Sequence, residues 1–134
     1  MTFTPSKPPP SLQCPRPSWL HRLPRPIFDL LEGIYAVVER GGSSLTVAGL
    51  RMLVEAVAKD GVPGKITMRE RLEVLYRQGI ISSGHCERLL RVVEHGNKAV
   101  HENVAVQGED LSHLLLCVEH LLQEFYVLRC PLPS

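Results

Sequence analysis

Arg91-Val-Val-Glu-His-Gly-Asn-Lys-Ala-Val-His101 is the stretch on which the reading of the chain turns. Its apolar residues recur at helical spacing, a Gly-Asn step interrupts them, and a histidine closes the run. Counting 100° per residue, Leu89, Val93, Gly96 and Val100 define a buried helix face, with Asn97 and His101 on its shoulder. Glycine costs a helix about 1 kcal/mol relative to alanine, so Gly96 predicts either a closely packed neighbouring backbone or a bend. Asn97 and His101, four residues apart, read as a polar pair that hydrogen-bonds to a neighbouring helix and fixes its register.

Outward from this stretch the helical period continues. Leu111, Leu114, Leu115, Val118, Leu121, Leu122, Phe125 and Leu128 form the strongest apolar stripe, entered from a polar loop around Gln107-Gly108 and ended by Pro131. Upstream, Thr67-Met-Arg-Glu70 has capping-box spacing for a helix carrying Leu72, Val74 and Leu75. Gly79 stops that helix, and Ser82-Ser83 caps the next. Ser43 or Ser44 caps a helix with Leu50, Leu53, Val54 and Val57 on one face. On its edge Arg51 and Glu55, again four apart, are natural partners for Asn97 and His101 in a structural polar cluster. The first helix starts at Pro26, carries Ile27, Leu30, Leu31, Ile34, Val37 and Val38, and ends at Gly41-Gly42. No segment sustains strict alternation, so the fold class is all-α, a bundle of about five helices.

The 134 residues suit one domain, and 44% hydrophobic with 22% charged residues is ordinary for a soluble globular chain. The domain spans 26–130. Residues 1–25 precede it as an extended, proline-rich, disordered arm, since eight of the eleven prolines fall in the first 26 positions. Trp19 and Leu20 are the arm residues expected to fold back. The arm reads as a solvated tail rather than as a ligand for an adaptor groove. It carries four of the fifteen basic residues and no acid, which leaves eleven basic against fourteen acidic residues, a net of −3, from Pro26 onward. A mildly acidic body does not track phosphate backbones by bulk charge, so nucleic acid is a weakly supported partner that only the basic arm favours. No apolar run reaches bilayer length and no signal-peptide block opens the chain. The reading is a soluble, cytoplasmic protein with no membrane contact.

Chemistry is sparse. The Gly61-Val-Pro-Gly64-Lys65-Ile-Thr67 segment lacks phosphate-loop spacing and follows a helix, so it reads as a connection. His113, Cys117 and His120 share a helix face, but seven residues rise about 10.5 Å, too far for the outer two to meet on one ion. No metal and no cofactor is expected. Cys14, Cys86, Cys117 and Cys130 are scattered and read as reduced thiols, with Cys86 and Cys117 as small core residues rather than nucleophiles.

Leu50-Arg51-Met-Leu-Val-Glu55, the Gly64-Lys65 loop, Leu75 to Gly79-Ile80-Ile81 and above all His95-Gly96-Asn97-Lys-Ala-Val-His101 together resemble the domain of unknown function 4145 family, over about residues 24–128. That family is similar to the HEPN superfamily of helical bundles, many of them dimeric, metal-independent ribonucleases of defence and toxin systems, and its members also occur attached to restriction endonucleases. The resemblance implies His101 as the catalytic proton-transfer residue and Asn97 as its orienting companion. The arginine that accompanies such a histidine is missing. Val93 stands where the family often has it, and Arg91 lies about 120° around the helix from Asn97, facing solvent. A ribonuclease would therefore need Arg51 as an accessory cation. The primary expectation is a non-catalytic interaction or dimerisation domain, acting as a homodimer or with a protein partner near a restriction, defence or mobile-element system. The ribonuclease and a weak nucleic-acid-binding accessory are its alternatives.

Overall fold

Local chemistry sets most helix ends. In a computed structural model of the chain, which describes residues 13–102, 106 and 108–129, α1 is Arg25–Glu39, α2 Ser43–Gly61, α3 Met68–Arg77, α4 Ser83–Glu102 and α5 Gly108–Leu122. A 3-10 turn, Leu20–Arg22, precedes them, and a π-helical segment, Gln123–Leu128, continues α5. The protein is thus an all-α bundle of five helices, with no strand among the described residues. None of these helices is long and apolar enough to cross a membrane.

Thr67 caps α3 by accepting a hydrogen bond from the Glu70 amide at 3.1 Å, and Ser82 caps α4 by accepting one from the His85 amide at 3.0 Å. At the end of α3, Gly79 takes φ +76°, a conformation costly for any residue with a Cβ. It thereby allows the Ile80 amide to reach the Leu75 carbonyl at 3.0 Å. The expected serine cap of α2 does not form. The helix already begins at Ser43 with Gly42 as its cap, and a side chain at position 42 would run into Val37 at 2.7 Å. The tight α1–α2 turn leaves no room there for a capping residue.

Helix α2 lies at the centre of the bundle and packs against all four other helices. Its Leu50, Leu53, Val54 and Val57 are inaccessible to solvent, as are Leu31 and Tyr35 of α1, Leu72 and Leu75 of α3, Leu89 and Val92 of α4, and Val118, Leu121 and Leu122 of α5. The apolar stripe of α5 ends before Leu128, which is 60% exposed. After Leu122 the helix widens to π geometry, so a count at 100° per residue no longer predicts direction. The π-helical segment folds back onto the end of α2. Phe125 fills the space beside Gly61, and the Tyr126 hydroxyl donates to Asp60 Oδ2 at 2.6 Å.

The end of the proline-rich arm is packed rather than extended. Cys14, Leu20 and Leu23 belong to the core, and Trp19 lies against it. Arg16 reaches Glu32 at 3.2 Å and Glu39 at 3.0 Å, with its guanidinium 4.8 Å above the Tyr35 ring. The sequence signal for this attachment is the run of apolar residues among the prolines, not the proline content. Residues 1–12, and the readings that fall on Gln107, Cys130 and Pro131, lie outside the described residues.

One buried charge was not foreseen. Arg71 is enclosed and donates to the carbonyls of Val62 at 3.0 Å, Ile66 at 2.5 Å and Gly64, gathering the whole α2–α3 connection around one guanidinium. Its fork geometry suits three acceptors that a lysine could not serve together. Arg71→Met should therefore lower unfolding free energy in urea by about 2–4 kcal/mol, with Arg71→Lys recovering only part of it. An unchanged denaturation midpoint in Arg71→Met would show that the loop holds itself.

Candidate functional site

Gly96 marks where α2 and α4 come closest. A Cβ built on it would stand 2.9 Å from Arg51 Cδ and 3.1 Å from Cγ, and closer still to Arg51 Cβ, so the arginine stem occupies the space a side chain would need. This is the close approach that a mid-helix glycine predicts. The two helices run antiparallel: one turn back along α2, Val47 shares a small buried cluster with Ala99 and with Leu111 of α5. Arg51 is half-buried, and its Nε is buried without a hydrogen-bond partner.

The buried face of α4 is rotated from the expected one. Leu89, Val92, Gly96 and Ala99 face inward, Val93 is half-buried and Val100 is 57% exposed, a turn of about 50° about the axis. The reason is α5, which draws Ala99 toward Leu111. Asn97 and His101 are carried from the shoulder into solvent, and both are exposed. Arg51 is thus brought beside the turn that carries Asn97, while Glu55, half-buried, lies one turn farther from His101. No hydrogen bond or ion pair among the described residues joins Arg51, Glu55, Asn97 and His101. Outward on α2, seven residues apart and so on one side, Leu45 is 70% and Met52 52% exposed.

A second polar constellation lies on the other flank of α4. Gly84, Arg88, Arg91 and His95 follow helical spacing and form one wall of a cleft of about 540 Å³, with Asp110, His113, Leu114 and Cys117 of α5 opposite. Arg91, expected simply to face solvent, is part of this wall, and His113 and Cys117 are part of the one opposite. The polar stripe 84, 88, 91, 95 was the sequence signal for it. Adjoining the cleft, His85 Nε2 donates to the Cys117 carbonyl at 2.9 Å and its ring meets His120 edge-on at 6.4 Å. Burial chiefly, helped by the charges of Arg88 and His120, holds His85 below the ordinary histidine value, against the opposing pull of the Cys117 carbonyl and Glu124. The thiols of Cys14, Cys86 and Cys117 are all raised by burial, the opposite of what a nucleophile needs.

Residues 32–130 match the model of the family described as Domain of unknown function (DUF4145). The chain belongs to that family. No curated protein and no solved structure matches it. The DUF4145 match covers the Arg51–Gly96 contact and both α4 flanks, and it begins within α1, so the packed segment from Cys14 to Pro24 precedes the matched region.

Two outcomes follow for this DUF4145 domain. Gly96→Ala should destabilise it by about 1–3 kcal/mol, because overpacking against the Arg51 stem outweighs alanine's better helix propensity. Gly33→Ala, where a Cβ meets nothing within 4 Å in α1, should instead stabilise by about 0.5–1 kcal/mol. Equal effects at the two positions would refute the close approach. The fold favours neutral His85, so its contribution is complete above the ordinary value of 6.5 and fades as pH falls below it. Chemical denaturation between about pH 7 and pH 5 should show stability falling, and His85→Gln should flatten that fall.

Proposed function

We propose that the domain is a non-catalytic helical interaction module that self-associates through its α2/α4 face, in the restriction or defence setting that the HEPN resemblance implies. The observation that carries this reading is the exposure of Leu45 and Met52 on one side of α2 and of Val100 on α4. Large apolar side chains rimmed by unpaired polar ones are the usual composition of a contact surface. A two-fold arrangement brings the same patch from both copies together, so no second type of surface is needed. Arg51, Asn97 and His101 then supply polar groups at the rim, where a partner copy can satisfy them.

A second reading rests on the Arg51 seat itself. The cation that the Asn97–His101 step lacks along α4 is supplied from α2, beside the turn that carries Asn97. With single-stranded RNA, His101 takes the proton of a ribose 2′-hydroxyl as that oxygen attacks phosphorus and the 5′-oxygen departs with a proton from water. Arg51 offsets the phosphate charge and Asn97 orients the histidine.

Sedimentation of the purified chain and an RNA cleavage assay separate the two readings. The wild type should be dimeric at tens of micromolar, Leu45→Asp with Met52→Asp should be monomeric, and Leu116→Asp on α5 should leave the dimer intact. A monomeric wild type removes the self-association reading. RNA cleavage in chelator that His101→Ala abolishes without changing the melting curve would replace it with the ribonuclease.

A further inference from the structure

We propose that the α4/α5 cleft is a binding site for a phosphate monoester of about nucleotide size. The cleft lies on the flank of α4 away from the α2/α4 face, and this inference does not rest on the reading of that face. Arg88, Arg91 and His95 project from one stripe of α4 toward His113 of α5. Neither arginine makes an ion pair among the described residues, although Glu87 and Asp110 line the same cleft. Arg16 and Arg25, by contrast, pair with carboxylates, and Arg71 is held by three carbonyls. The Arg88 guanidinium lies beside Gly84 of the same wall, and its charge acts on the Cys117 thiol opposite. Two guanidinium groups about one turn apart on α4, with His95 beside them and the His113 imidazole across the cleft, match the several acceptor oxygens of a phosphate group.

Size and balance narrow the ligand. A volume of about 540 Å³ far exceeds a bare phosphate and lies in the range of small-molecule sites. Leu114 offers an apolar patch for an organic moiety. Glu87 and Asp110 accept hydrogen bonds, so they suit hydroxyl or amino donors on that moiety and oppose further phosphates. The same two carboxylates, with the acidic balance of the chain beyond Pro26, disfavour a nucleic-acid strand and favour a single ester.

Calorimetric titration of the full chain with AMP, glucose 6-phosphate, adenosine and a single-stranded decanucleotide tests the assignment. Saturable binding of either ester is expected, with adenosine at least about tenfold weaker than AMP. Arg91→Gln and Arg88→Gln should each weaken the bound ester about tenfold or more, and exposed Arg77→Gln on α3 should leave it within about twofold. Because Arg91 is exposed, its variant retains the wild-type melting curve, which separates lost binding from lost folding. The proposal is overturned by the absence of saturable ester binding up to about 10 mM. Adenosine binding as tightly as AMP, the oligonucleotide binding more tightly than either ester, or an Arg91→Gln variant that binds normally would overturn it equally.

Discussion

The seating of α2 on α4 at Gly96 is the constraint on which the rest of the bundle depends. Because α2 touches every other helix, its distance from α4 sets the positions of α1, α3 and α5 as well. A glycine at this crossing sacrifices about 1 kcal/mol of helix propensity, less than the strain of forcing a methyl group against the Arg51 stem. The contact also decides where a cation lies. Arg51 cannot extend freely into solvent, because its aliphatic stem fills the glycine notch and its Nε is enclosed.

The arginines record how one chain distributes its positive charge. Arg71 is buried and satisfied by backbone carbonyls, so its work is to shape a loop. Arg16 stands between two glutamates and a tyrosine ring and fastens the end of the arm to α1. Arg51, Arg88 and Arg91 have no carboxylate partner among the described residues, and what sets them apart is their place on the two flanks of α4. The functional readings concentrate on those flanks for that reason: unpaired guanidinium groups beside an apolar patch or within a cleft retain interaction capacity that folding has not used.

What the sequence made legible was local. Thr67, Ser82 and Gly79 act on amides and carbonyls a few residues away, so their roles follow from spacing alone, as does the demand that Gly96 makes on its neighbour. The family was legible for a related reason, because its short motifs occur in a fixed order. The buried face of α4 was not: Val93 with Val100 and Val92 with Ala99 are equally plausible stripes, and only the docking of α5 onto Ala99 chooses between them. Asn97 and His101 changed from shoulder to surface through that single rotation. Arg71 and the α4/α5 cleft were missed because each depends on groups from separate segments, and Leu128 because the helix changes period before reaching it.

The account stands most directly on the proximity of Arg51 to Gly96, and a nuclear Overhauser measurement on the isotope-labelled chain reads it without any mutation. Strong cross-peaks are expected between the two Gly96 α-protons and the β- and γ-protons of Arg51, together with contacts from Val47 methyls to Ala99. Their absence in a well-dispersed spectrum, with Gly96 α-protons contacting only their own helix, would contradict the seating of α2 and with it the joint placement of Arg51 and Asn97.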